Sequence, residues 1–156
     1  MQNNQLKQLI DTSSRIILKV GSSLLINENN NDINYHWLKN FSKEIQSLTD
    51  KKKQIMIVSS GSVALGRKQL NLVKNLSLDE KQAAAAVGQI HLSHAWKEVL
   101  KSFNLDSAQI LLAPDDTETR RKHLNARATL LKLLQLNVIP VINENDTVST
   151  DEIKFG

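Results

Sequence analysis

The sequence predicts an α/β protein, a three-layer α/β/α sandwich built on a mainly parallel sheet. Three observations carry this. Apolar runs of strand length alternate with amphipathic stretches of helix length, which implies parallel pairing through right-handed crossovers. The strand candidates are continuously apolar rather than alternating, which implies cover on both sheet faces. With 156 residues, 40% hydrophobic and 23% charged, the chain has the size and composition of one globular domain.

Residues 1–14 (MQNNQLKQLIDTSS) read as an N-terminal extension, followed by a domain over residues 15–156. The extension lacks a basic region leading into an apolar run, so it is not a signal peptide. Arg15–Val20 (RIILKV) is a β-branched, apolar strand. Tyr35–Leu48 is a helix, because Trp37, Leu38, Phe41, Ile45 and Leu48 share one face. Gln54–Val58 (QIMIV) is the second strand. Ser77 followed by Glu80 is a capping-box pattern that starts a long helix ending near Ser102, and Asp79 and Glu80 suit its positive end. Ser107–Leu112 is the third strand. Thr117–Gln135 is one helix with Leu124, Ala128, Leu131 and Leu134 on one stripe. Val138–Ile142 is the fourth strand. Pro140 lacks a ladder donor, so an edge position or a bulge is expected there. Asn27–Asn34 is a polar surface loop, and no internal repeat is present.

Open α/β sheets bind ligands beyond the carboxyl ends of their strands. Gly21-Ser22-Ser23 follows the first strand and Ser59-Ser60-Gly61-Ser62 the second. Pro114-Asp115-Asp116 follows the third, and Asn143-Glu144-Asn145-Asp146 the fourth. Lys19 with Gly21 and Ser22 suits a phosphate, because glycine lets backbone N–H groups approach an oxyanion and lysine adds a compact positive charge. The same residues also read as a tight turn with a snorkelling lysine. Placing a lysine in an apolar strand tips the balance toward the anion site, since a buried charge needs a partner. The serines after the second strand read first as a helix N-cap, a role compatible with anion binding. The four carboxylate and amide residues after the fourth strand suit an ammonium group, a metal or a hydroxyl, against an Asx-rich turn.

Other features read blandly. His91 and His94 have no third ligand in register, so no metal site is expected. Ala83–Ala86 with Gly88 is a close-packing helix face. Arg120, Arg121, Lys122 and Arg127 form a solvated basic cluster; without an aromatic platform, nucleic-acid binding is disfavoured. The absence of cysteine excludes disulfides and thiolate metal sites and fits the cytoplasm. No run is long enough to span a membrane. The formal charge of +4 suits an anionic small molecule or a nucleic acid without choosing between them.

The stretches ILKVGSSLL, IVSSGSVALG, KQAAAAVGQ, HLNARATL and VIPVINENDTVSTDEIKFG, in this order, resemble the amino acid kinase family. The NEND segment with its following DEIKFG is similar to the glutamate 5-kinase branch. The resemblance implies ATP-dependent phosphorylation of the L-glutamate side-chain carboxylate, the first step of proline synthesis, in an enzyme that is a homo-oligomer at full length. It implies that Lys19 holds the phosphates and stabilises transferring charge, with Gly21 and Ser22 as backbone donors. It implies that Ser59, Ser60 and Gly61 hold the substrate, that Asp146 binds its ammonium group with Asn143 nearby, and that Lys154 is a second catalytic lysine. Magnesium would arrive with ATP, without a dedicated protein cage. Relative to the family, the chain stops before the motif that completes the site and before the adenine-holding strands, so a truncated, substrate-side portion is expected. A non-catalytic amino-acid-binding module or another member of the family is the alternative, separated by binding without turnover.

Overall fold

The computed structural model describes residues 2–27, 30–73 and 75–148, with side chains from residue 6. The element order is α1 (Gln2–Thr12), β1 (Arg15–Val20), α2 (Ser22–Leu25), α3 (Tyr35–Asp50), β2 (Gln54–Ser59), α4 (Ser62–Gln69), α5 (Leu78–Ser102), β3 (Asp106–Leu112), α6 (Pro114–Glu118), α7 (Arg120–Gln135) and β4 (Val138–Glu144). The four strands are parallel, in the order β1-β2-β4-β3.

Chirality explains where the helices lie. The crossovers from β1 to β2 and from β2 to β3 advance in one direction across the sheet, whereas β3 to β4 runs back. Right-handed crossovers therefore place α3 and α5 on one face and α7 on the other. The contacts agree: α3 packs on α5 and β2, and α7 packs on β4. The main core lies on the α3/α5 face. There Val20, Ile55, Ile57, Ile139 and Val141 meet Leu38, Ile45, Leu92, Trp96, Val99 and Leu100.

The two faces are not equally covered. The interior strands β2 and β4 are buried on both sides, as their continuous apolar runs imply. The outer strands alternate instead, and Ile17 of β1 is 62% exposed. A single long helix, lying against β4, shields the second face and leaves β1 open there. The α7 stripe is correspondingly partial: Leu134 is buried, but Leu124 is exposed.

Two further expectations are corrected, and the N-terminal extension takes a definite form. Pro140 is buried in an interior strand, not at an edge. The β2–β4 register begins at Ile57 and Val141, so Pro140 precedes that ladder. The helix expected over 117–135 is two helices, because Pro114 at the first position starts α6 early and Thr119 is extended between α6 and α7. Residues 2–12 form a helix, anchored where Lys53 Nζ donates to the carbonyls of Asp11 and Ser13, both at 2.7 Å.

The capping signal before α5 acts as read, since the Ser77 amide donates to the Glu80 carboxylate at 2.8 Å. Asn34 accepts from the Trp37 amide and starts α3. The alanine–glycine face of α5 is a close-packing face through Ala84, Ala85 and Gly88, all buried. A Cβ on Gly88 would fall inside the Ser62 carbonyl, and one on Gly66 inside the Ala84 carbonyl. Helices α4 and α5 thus touch backbone to backbone. Gly88→Ala forces them apart, and we expect a loss of about 3 kcal/mol or more, the upper end of overpacking costs, read as a lowered denaturant midpoint.

Candidate functional site

The carboxyl ends of β2 and β4 are neighbours in the sheet, and their polar residues converge on one open cavity of about 680 Å³. Ser22, Ser60, Gly61, Asn143 and Asp146 line it, together with Ser62, Arg67, Asn75 and Lys81. Five of the residues singled out in the sequence therefore meet. Ser59 stands behind them, 4% exposed, lining a second cavity of about 320 Å³ between α5 and the β3–β4 pair, and Asn143 borders both cavities.

Local geometry sets each of these positions. Gly61 has φ 116°, a left-handed conformation that turns the chain sharply from β2 into α4 and favours glycine. Gly61 is itself the cap residue, and no side chain caps α4. This corrects the reading of the serines as an N-cap. The Ser62 hydroxyl instead donates to Asp146 Oδ2 at 2.9 Å. Ser60 Oγ reaches the Val20 carbonyl at 3.4 Å, joining the ends of β1 and β2. Gly21 precedes α2 with ordinary extended dihedrals, and a Cβ there would approach nothing nearer than Ser23 Oγ at 3.9 Å. Neither backbone strain nor packing accounts for glycine at this position. The open space beside it suits the approach of a ligand.

Lys19 is exposed. Its register partner is Val58, so it belongs with Ile17 to the second sheet face, open at this edge. Contrary to expectation, its charge is not buried among apolar residues, although the lysine remains two residues before the Gly21 turn. Lys154 lies outside the described residues. His91 and His94 are both exposed, and no metal-binding cluster occurs among the described residues.

The β4 end is both a turn and a site wall. The Asn145 amide donates to the Leu112 carbonyl at 2.8 Å, and the Val148 amide returns to Asn145 at 3.1 Å. Asp146 is 8% exposed. Burial pushes its carboxyl above the usual carboxylate range, the nearby Glu144 charge adds to this, and the Ser62 hydrogen bond opposes it. A buried carboxylate with one hydroxyl partner among the described residues is suited to receive a cation from the cavity.

Two residues that sequence reasoning passed over hold the polar strand ends. Trp96 Nε1 donates to Ser59 Oγ at 2.9 Å, and Asn143 Nδ2 donates to Gln89 Oε1 at 2.6 Å. Gln89 and Trp96 are seven residues apart on α5, hence on one helix face. Trp96 is in turn fixed edge-on to Phe41, at a ring separation of 6.2 Å, and Phe41 stacks on Trp37 at 4.7 Å. The available signal was a tryptophan inside an otherwise aliphatic core helix, whose N–H must find a partner when buried.

Trp96→Phe removes the donor to Ser59 and should cost about 1–2 kcal/mol of stability. Combined with Ser59→Ala, the loss should be less than additive by about 0.5–1.5 kcal/mol in chemical denaturation. Asp146→Asn should raise the melting temperature of the ligand-free protein at neutral pH. The sign follows from linkage: a raised carboxyl pKa contributes stability below the unfolded value that is lost as pH rises through the folded value. The gain from Asn should therefore vanish as the pH falls below the carboxylate range, in a pH series of thermal melts.

The chain matches the amino acid kinase family over residues 14–156. It is 49% identical over 144 residues to the glutamate 5-kinase of Paramagnetospirillum magneticum, covering 92% of this chain and 39% of that one. It is 51% identical over 143 residues to the glutamate 5-kinase of Rhodopseudomonas palustris strain BisB5, covering 91% and 38%. The chain thus spans about two-fifths of the length of these relatives. Among solved structures, UMP kinase from Bacillus anthracis superposes with a TM-score of 0.58 at 20% identity, over 83% of this chain and 52% of that one, a likeness of fold. With the parallel sheet, the glycine turn and the polar strand ends in place, the family match over nearly the whole sequence makes this chain a member of the amino acid kinase family.

Proposed function

We propose that this chain is the acceptor-substrate part of a kinase that phosphorylates the side-chain carboxylate of L-glutamate, using ATP with Mg2+, to give glutamyl 5-phosphate for proline synthesis. The observation that carries the reading is the near-half identity to glutamate 5-kinases across almost all of this chain. The cavity chemistry is compatible with it. The setting would be a cytoplasmic biosynthetic enzyme, homo-oligomeric at full length; among the described residues no helix is long and apolar enough to cross a membrane.

In this reading Asp146, held by Ser62, takes the substrate ammonium group. Asn143, oriented by Gln89, borders the same space. Ser59, with the backbone of Ser60 and Gly61, forms the floor of the substrate site. A carboxylate side chain is already ionised at neutral pH and is its own nucleophile, so no general base is required. Its oxygen attacks the γ-phosphorus of ATP, the bond to the leaving ADP oxygen breaks, and an acyl phosphate results. Catalysis is then positioning plus charge stabilisation. The Gly21-Ser22 turn would supply backbone donors to phosphate oxygens, and Lys19 a mobile positive charge beside them. Lys154 would be a second such lysine. Magnesium, bound with the nucleotide, would neutralise charge on the phosphates.

The test is hydroxylamine trapping of the acyl phosphate in the presence of glutamate, ATP and magnesium. Glutamate-dependent hydroxamate is expected from the protein at the length of its glutamate 5-kinase relatives, with Lys19→Ala reducing the rate by about 100-fold or more, the usual effect of losing one charge-stabilising group. Glutamate bound in calorimetry without hydroxamate would instead identify an amino-acid-binding module. Absence of both binding and turnover would overturn the proposal.

A further inference from the structure

The charged side chains among the described lining of the larger cavity are Arg67 on α4, Lys81 on α5 and Asp146 after β4. Lys81 has a partner within the protein, which leaves Arg67 as the cation that shares the cavity with the Asp146 carboxylate. An acidic α-amino acid carries two carboxylates and one ammonium group. Asp146 accounts for the ammonium, and the γ-carboxylate is the reacting group. The α-carboxylate has no partner in the reading above.

Arg67 is half-buried, and its side chain makes no ion pair or hydrogen bond with the other described residues. Its neighbour Lys68, by contrast, is paired with Asp32. A half-buried guanidinium that faces a cavity and has no counter-charge among the described residues gains most from a carboxylate that it can grip with two parallel N–H donors. Its place in the last turn of α4 also complements the helix dipole, but that role does not require it to line the cavity.

We propose that Arg67 binds the α-carboxylate of the amino-acid substrate, so that the cavity reads both α-substituents and selects zwitterionic acidic amino acids. This rests on the cavity being the acceptor-substrate site. Lys81 adds positive potential to the same wall.

The experiment is calorimetric titration of the protein with glutamate and with isoglutamine, the same molecule with its α-carboxylate amidated. Wild type, Arg67→Gln and Arg67→Lys are compared, each shown to be folded by its thermal melt. Wild type should prefer glutamate by about tenfold or more, the size of a lost charge-assisted contact. Arg67→Gln should bring the ratio to within about twofold, through weaker glutamate binding. Arg67→Lys, which keeps the charge without the fork, should fall between. A wild type that binds glutamate and isoglutamine equally would overturn the proposal while leaving the acceptor site intact. So would an Arg67→Gln protein that weakens both ligands alike, as a helix-dipole role predicts. Failure of wild type to bind either ligand would overturn the acceptor-site reading itself, and this proposal with it.

Discussion

The backbone contact between α4 and α5 is the constraint from which the rest of the site follows. Gly66 and Gly88 leave no room for a methyl group between the two helices, so α4 is pressed down along α5. That contact holds the start of α4, with its left-handed Gly61, over the ends of β2 and β4. Without it, Ser62 would not reach Asp146 across 84 residues of sequence. The small residues are thus not filler. They convert one helix-packing distance into the position of a cavity wall.

The same long helix serves the other side of the site. Its apolar face builds the main core with α3 and the sheet, while Gln89 and Trp96 hold the amide and the hydroxyl at the strand ends. Buried polar groups are tolerated only when paired, and here the pairing also orients them. Ser59 accepts from the indole, so its own proton is left to donate elsewhere. Asn143 donates its amide nitrogen to Gln89, so its carbonyl oxygen is turned to other partners. Core packing and site geometry are therefore one problem: the Trp37–Phe41–Trp96 contact sequence runs from a surface helix to a residue at the site.

Electrostatically, the site is unfinished without a ligand. Asp146 is buried with one hydroxyl donor, and Arg67 lines the same space with no counter-charge among the described residues. Both arrangements cost free energy in the empty protein. A ligand that carries charges of each sign would relieve both. Stability conceded at a binding site in this way is common, because a site that satisfied itself would have nothing to offer a substrate.

The four strands and the helices α3 and α5 were legible in the sequence because they depend on short-range periodicity and capping. RIILKV, the Ser77–Glu80 cap and the alternation of elements each carried their meaning locally, and the family motifs named the polar strand ends in order. What the sequence could not express was which residue faces which. Lys19 lies in an apolar run, yet it is exposed because α7 covers β4 and not β1. Pro140 breaks a local rule, yet it is interior because its ladder to β2 begins one residue later. Gln89, Trp96 and Arg67 carry no motif of their own. Their roles arise from the sheet order β1-β2-β4-β3 and from the packing of α5 against the sheet and α4, so they exist only once distant segments have packed. By itself the sequence determined the elements and the chemical identity of the strand ends, through local interactions. Tertiary structure alone decided burial, charge pairing and the partners of the buried polar groups, because those depend on distances between residues remote in the chain.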